Sequence, residues 1–577
     1  MNSRLLSVIG ASLSLAVMTS CDGLAKMAKK QTDIKYTVTP QPLEMHGDSV
    51  QFSVTGKFNQ KLFAKKVTLT VTPVIKYEGG EKALKPIVLV GDKATASGQK
   101  ISFSNGGTFS YTSEKFAFEP GMRNAKLIIK ATGQVKSKTK EFTPVELGDG
   151  TMATSLLVRH DEKGMTATDS YVRTTPANQS THIYYLINNA DVRSSELKSD
   201  EMKNFTSFLA TNLGKAGFVF KGITVSAYAS PDGETDKNTN LAKDRAASAS
   251  KALMAEFKKN KDKAVTFGKD KAQYTEGTTR EDWEGFRELM QQSTMADKDL
   301  ILRVLTMYND ADQRRKEIKN LSKTYVELAD KVLPKLRRAE VTLNVDVVGR
   351  SDEQMMKTAV SNPDSLSVEE FIRAANLTND LNTKVQILTS AERKFASDWR
   401  VSNNLGVALL LQNKVAEAGE AFKRAQKNGS TQAAVMNNLG VIEAKNGNSA
   451  AAMDYYAKAG GSPEARYNMG IINIKRGQYA DAASNFGDNK TFNKALAQLM
   501  GGSAGGAKET IDASNEKDMA YSLYLKAVAA ARQGNTADAI SNLKAAIEKD
   551  GSWKTYAKND AEFIKLRSDS NFSALVN

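Results

Sequence analysis

Apolar and polar residues change their period along the chain, and each period implies a different architecture. From residue 34 to about residue 158 the apolar positions alternate: Val50-Gln51-Phe52-Ser53-Val54 and Val67-Thr68-Leu69-Thr70-Val71 each send every second side chain to one face. Similar short runs follow at 87–90, 101–103, 109–111 and 125–131, separated by turn-forming stretches such as Asn105-Gly106-Gly107. Short strands at this spacing, with no helical run between them, predict an all-β sandwich of antiparallel strands over residues 33–158. Such a module serves either as a spacer or as a docking edge for strand addition.

The middle of the chain mixes two periods. Residues 183–187 read as a strand, 196–213 as a helix, and Ile223, Val225 and Ala227 as the buried side of a second strand. Ser230-Pro231-Asp232-Gly233 then supplies turn chemistry, because proline fixes φ and glycine tolerates positive φ. Leu241, Ala242, Ala246, Ala249 and Leu253 recur at helical spacing, which leaves Arg245 off that stripe and facing the strand-end loop. A strand, a turn and a helix with an arginine at its mouth make either an anion site or a plain β-α packing unit. Within residues 258–335 three apolar stripes read as amphipathic helices: Trp283, Phe286, Leu289 and Met290; Leu300, Ile301, Val304, Leu305 and Tyr308; Ile318, Leu321, Tyr325, Leu328 and Val332. They imply a helical insert, packed on itself or presenting a groove. Residues 350–367 read as a polar linker, and 368–577 as helical throughout.

An internal repeat governs the last part. Asn403-Asn404-Leu405-Gly406 returns as Asn437-Asn438-Leu439-Gly440 and as Tyr467-Asn468-Met469-Gly470. Downstream of each glycine stand Ala418, Ala452 and Ala482, then Phe422, Tyr456 and Phe486. Small residues allow two helices to approach while an aromatic ring fills the gap, and the pattern resembles the tetratricopeptide repeat. That resemblance implies an all-α solenoid with a concave face that binds peptides or domains of envelope proteins.

Two further resemblances follow from the residues already quoted. Asn238, Leu241, Ala242, Arg245 and Ala246, with the closing stretch Arg337-Arg338-Ala339-Glu340-Val341, resemble the OmpA-like peptidoglycan-associating family over residues 180–348. In that family an aspartate and an arginine fifteen positions apart grip the ammonium and carboxylate of a stem-peptide diamino acid. Arg245 falls on the arginine, Ser230 stands at the aspartate's position, and Asp232 lies two residues later. The candidate wall-binding residues are therefore Arg245, Asp232, Ser230 and Asn238, in an α+β domain spanning 159–349 with its insert at 258–335. At the other end, Arg4, an apolar run over 5–17 and small residues before Cys21 have signal-peptide form, too short to span a bilayer. Cys21 is the sole cysteine, and its setting resembles a bacterial lipoprotein box. The resemblance implies a leader over 1–20, lipidation of Cys21, and a tether over 21–32. The tether carries one acid against three lysines before residue 31, which points to the periplasmic side of the cell outer membrane.

Composition narrows the rest. A formal net charge of +15 favours anionic surfaces such as lipid headgroups or cell-wall carboxylates. No basic helix or aromatic-basic array of a nucleic-acid module is present. His46, His160 and His182 lie far apart without partners at metal-ligand spacing. Gly501-Gly502-Ser503-Ala504-Gly505 matches the hydrolase elbow by letters, but a helical run precedes it and no histidine follows His182. The expectation is a non-enzymatic lipoprotein without catalytic, metal or cofactor residues, acting as a scaffold or adaptor with peptidoglycan association through the central domain. The alternatives are a structural subunit of an outer-membrane assembly or secretion complex without wall binding, and a surface or fimbria-associated subunit.

Overall fold

The computed structural model describes residues 21–259 and 266–577; the leader expected over residues 1–20 lies outside them. The chain divides into two compact units, one of residues 21–167 with 380–577 and one of residues 168–379.

In the first unit the β-rich region is built from three sheets over one apolar core. Lys35–Thr39, Ser53–Phe58 and Gly107–Thr112 form an antiparallel three-stranded sheet. The long strands Thr68–Tyr77 and Lys126–Val135 pair antiparallel at the centre of a seven-stranded sheet. Alternation works as expected here: Leu69, Val71, Leu127 and Ile129 are all buried. The arrangement is not purely antiparallel, however. Ile87–Gly91 pairs parallel with Gln99–Ile101, and Leu43–His46 parallel with Thr151–Met152. Both added strands are short and reach their partners by loops or distant chain rather than hairpins, so no turn dictates their direction. The stretch expected as a tether is also structured: Cys21–Lys29 is a helix whose Leu24 and Met27 are buried in the β core. Leu24, Met27 and Ala28 share one helix face, an apolar stripe hidden among the lysines.

Residues 381–577 of the same unit are helices. Successive pairs run Trp399–Leu411 with Val415–Asn428, Ala433–Lys445 with Ser449–Lys458, and Pro463–Lys475 with Tyr479–Phe486. Phe492–Met500 with Ala504–Asp512 and Ala520–Arg532 with Thr536–Lys549 continue the series. The first helix of each pair contacts the first helix of the next, which makes one continuous inner face. The repeat's logic is steric. A Cβ on Gly406, Gly440 or Gly470 would lie 2.5, 2.6 or 2.8 Å from the ring of Phe422, Tyr456 or Phe486, so only glycine permits the approach. The β-rich region packs on the last helices: Arg567 pairs with Asp149 at 3.2 Å and Arg123 lies 4.3 Å over the Tyr556 ring.

The second unit carries a sheet in the order Thr174–Pro176, Arg338–Val348, Phe218–Tyr228, Tyr274–Thr279, with Gln179–Tyr184 also on Arg338–Val348. Helices Asp200–Asn212 and Thr235–Lys258 contribute Phe205, Leu209, Ala249 and Leu253 to its core, against Ile223, Val225, Ala227, Val341 and Leu343. Tyr274–Thr279 lies within the stretch expected as helical insert. It pairs parallel with Phe218–Tyr228, and its polar sequence hid it because only Tyr274 is buried. The insert proper begins at Trp283 and comprises four ten-residue helices and a short one, Leu333–Leu336, around its own core. The expected linker 350–367 is mostly helix as well. Ser351 and Gln354 form a capping box for Asp352–Ser361, which buries Met355 and Ala359 against Val368–Leu377.

Candidate functional site

The expected wall-binding residues converge around the turn that ends the Phe218–Tyr228 strand. Arg245 is fully buried, and it lies on the side of its helix that meets the strand end. Its guanidinium donates to three carbonyl oxygens: Tyr228 at 2.9 Å, Asn189 at 3.1 Å and Leu186 at 3.3 Å. The Tyr185 ring lies 5.1 Å from it. Burial pulls its pKa down to about 10, with Arg337 nearby acting in the same direction. Arg245 thus faces the strand-end loop as the helical spacing implies, but as a buried brace for loop carbonyls.

Asn238 donates to the Ser230 carbonyl at 3.0 Å and closes the turn. The Ser230 hydroxyl accepts from Arg337 Nε at 3.3 Å, and Asp232 Oδ2 accepts from Arg337 Nη2 at 3.5 Å. The other carboxylate oxygen, Asp232 Oδ1, is buried without a hydrogen-bond partner, an arrangement native proteins rarely leave standing. Beside this cluster opens a cleft of about 640 Å³ lined by Ile187, Asp232, Lys237, Asn238, Arg245 and Arg337. From the insert, Arg315 meets Glu281 at 2.6 Å and the Pro231 carbonyl at 3.5 Å, which secures the turn. Arg337 is the member that sequence reasoning passed over. The run Arg337-Arg338 was its signal, but only the fold shows Arg337 turned to the cleft while Arg338 pairs with Asp282 at 2.6 Å.

The second site lies on the inner face of the helical array, where residues 158–167 of the same unit run as a segment outside any helix or sheet. Asn404 accepts from the Ala167 N–H at 2.7 Å and donates to its carbonyl at 2.8 Å. Asn438 holds Met165 at 2.7 and 2.8 Å, and Asn468 holds Lys163 at 2.7 and 2.9 Å, in the same two-pronged way. Asn493 does so for Arg159 at 2.8 and 2.9 Å. A carboxamide carries both a donor and an acceptor, so one side chain matches one residue's backbone completely. Neighbours stiffen the row: Asn403 and Asn437 donate to the Met165 and Lys163 carbonyls at 2.9 and 2.8 Å. These six asparagines are between 0 and 3% exposed.

Side chains of the segment are recognised as well. Asp161 accepts from Tyr467 at 2.9 Å and from Asn493 at 2.9 Å. Glu162, its side chain 3% exposed, pairs with Lys445 at 3.3 Å. Arg159 stacks 4.0 Å over the Tyr521 ring. The segment runs from the later repeats toward the earlier ones, two residues advancing per repeat over 163–167. By sequence the Asn-Asn pairs read as repeat markers and residues 159–167 as the start of the central domain. The recurrence of paired asparagines on a buried helix face was the available signal.

Gly501-Gly502-Ser503-Ala504-Gly505 sits between the helices Phe492–Met500 and Ala504–Asp512, with no strand before it. Among the described residues there is no cluster of His, Cys, Asp and Glu able to hold a metal ion, and no helix is long and apolar enough to cross a membrane.

The tetratricopeptide repeat family matches residues 386–433, within the helices whose glycines and rings interlock. The C-terminal array is a tetratricopeptide repeat array. Among solved structures the chain is similar to YrrB, a TPR protein with an unusual peptide-binding site, at 20% identity over 36% of this chain and 99% of that one, TM-score 0.22. It is similar also to a tetratricopeptide repeat protein from Parabacteroides merdae, at 14% identity over 42% and 99%, TM-score 0.29. PilW, a type IV pilus biogenesis factor, aligns at 15% identity over 39% and 99%, TM-score 0.27. No curated protein matches the chain.

Proposed function

We propose that this chain is a non-enzymatic lipoprotein scaffold, anchored through Cys21 to the periplasmic side of the outer membrane, whose repeats join envelope proteins. The observation that carries the interaction role is the row of paired asparagines, a surface built to hold an extended chain. The leader-like run before Cys21 supports the anchor, and the net charge of +15 suits a site beside anionic headgroups. The test is labelling with a palmitate analogue in a Gram-negative host, followed by mild-detergent extraction. The wild-type chain should take the label and run in an assembly larger than itself, and Cys21→Ser should do neither. A labelled monomer contradicts the scaffold, and an unlabelled chain contradicts the anchor.

A second reading is favoured by one observation, an open cleft lined by Asp232, a residue whose buried Oδ1 has no hydrogen-bond partner. In this reading the central unit is OmpA-like and associates with peptidoglycan. Asp232 takes the stem-peptide ammonium and Arg337 its carboxylate, while Arg245, Ser230 and Asn238 shape the turn. The strand-helix-strand-helix-strand order before the closing strand supports it. Sedimentation with purified sacculi decides between this and a structural subunit of an assembly, secretion or fimbrial complex without wall binding. Cosedimentation lost in Asp232→Asn and Arg337→Gln supports the wall; absence of cosedimentation in the parent supports the other.

A further inference from the structure

We propose that the inner face of the repeat array is a receptor for an extended peptide bearing an Asp-Glu pair, and that the chain's own residues 158–167 keep it closed. The inference rests on the reading of the array as a partner-binding surface and says what controls access to it.

Three features carry it. First, recognition is of backbone: Asn404, Asn438, Asn468 and Asn493 each take both polar groups of a single residue, at positions 167, 165, 163 and 159. Nothing in that contact depends on side chains, so the face accepts any strand able to lie along it. Second, selectivity enters through side chains: Arg159 and Lys163 lie over the Tyr521 and Tyr467 rings, and an adjacent acidic pair is held by hydrogen bonds and charge. Asp161 meets the Tyr467 hydroxyl and Asn493, and Glu162 meets Lys445. Burial raises the pKa of Glu162, but hydrogen bonding from His160 and the Lys445 charge outweigh it, so the carboxyl stays below the ordinary range. Third, the resident segment belongs to the same chain. Its effective concentration at the face exceeds that of a free peptide, and a competitor enters only when the segment leaves.

The amides offer a way to evict the segment without touching the array. Proline has no N–H, so Lys163→Pro, Met165→Pro and Ala167→Pro together remove the donors that Asn468, Asn438 and Asn404 accept. The probe is a fluorescein-labelled synthetic peptide of residues 157–168, added to the full chain and followed by anisotropy. The triple-proline chain should bind it saturably and the parent at least about thirtyfold more weakly, as an intramolecular competitor demands. Adding Asn438→Ala to the triple-proline chain should weaken binding by about tenfold or more, the usual scale for losing buried hydrogen bonds. A peptide with glutamine and asparagine in place of the acidic pair should also bind more weakly. Equal binding by parent and triple-proline chain overturns the closure alone. A triple-proline chain that keeps its helical signal and binds nothing overturns the receptor and the reading beneath it.

A cysteine pair provides a check that does not depend on the prolines. A Cβ on Gly164 lies 3.5 Å from the Val407 methyls. Gly164→Cys with Val407→Cys, in a Cys21→Ser background, should oxidise spontaneously and exclude the peptide until reduced. Failure of the pair to form in the folded chain overturns the occupancy.

Discussion

The repeat array and the central unit each bury a row of polar side chains, and they differ in what those side chains meet. In the array, asparagines meet a backbone of matching polarity, and the face is full. At the strand-end turn, Arg245 is also fully engaged, by three carbonyls, but Asp232, which lines an open cleft, keeps one buried oxygen without a partner. A buried polar group costs free energy unless it is paired, so native structures pair nearly all of them. The array solves that requirement with its own chain. The turn solves it for the arginine and leaves one oxygen of the Asp232 carboxylate unpaired.

The largest effect expected from this difference is at Arg245. Removing the guanidinium orphans the carbonyls of Leu186, Asn189 and Tyr228 inside the unit. Arg245→Ala should cost about 3–5 kcal/mol in denaturant unfolding, on the scale of a buried charged partner lost. A change below about 1 kcal/mol would mark Arg245 as a free ligand-gripping group and erase its contrast with Asp232.

Asn468→Ala comes next. It leaves the Lys163 N–H and carbonyl to other partners and removes a donor from Asn437. The expected loss is about 2–4 kcal/mol, on the basis of about 1–3 kcal/mol per buried group left unsatisfied. Replacing an exposed array residue such as Lys423 should cost nearly nothing in the same assay.

A pH-dependent term sharpens the comparison at the array's far end. Asp560 accepts from the Tyr524 hydroxyl at 2.5 Å and from the Glu562 N–H at 3.0 Å. Burial, with Glu562 nearby, pushes its pKa up from 3.8 to about 6. A carboxyl whose folded pKa is raised contributes stability that is present below its unfolded value and is lost as pH rises through about 6. Between pH 5 and pH 7.5 the parent should lose about 1.4 kcal/mol more than Asp560→Asn, because about one pH unit below the folded value lies in that window. Equal losses would show that Asp560 stays ionised.

The smallest loss at the turn belongs to Asp232. It keeps one long contact, Oδ2 to Arg337 at 3.5 Å, and its Oδ1 has no partner to lose. Asp232→Asn can still accept from Arg337, so it should cost about 1–2 kcal/mol while abolishing any sacculus binding. A loss comparable to that of Arg245→Ala would place the carboxylate among the braces.

Much of the architecture is legible in the sequence because it depends on local periodicity. Ile223, Val225 and Ala227 line the buried side of one strand, and Gly406, Gly440 and Gly470 oppose Phe422, Tyr456 and Phe486, as their spacing implies. What stayed hidden was long-range pairing or weak patterning. Tyr274–Thr279 has a single buried residue and reads as loop until the neighbouring strand is known. Among their described side chains the helices Cys21–Lys29 and Asp352–Ser361 bury two each along otherwise polar stretches, Leu24 with Met27 and Met355 with Ala359. Residues 158–167 have no periodicity of their own; their conformation is imposed by asparagines more than two hundred positions away. At the candidate site, Arg245 and Asn238 were visible from motif spacing, whereas Arg337 reaches Ser230 and Asp232 only through the closing strand.

The most direct test of the central claim, that the array holds its own chain, is hydrogen exchange at the amides of Lys163, Met165 and Ala167 in the intact protein. All three donate to buried asparagines. They should exchange at least about a thousandfold more slowly than an unstructured peptide, in step with the array helices, and lose that protection in Asn468→Ala with Asn438→Ala. Exchange at the rate of a free peptide in the parent would show that the inner face stands empty.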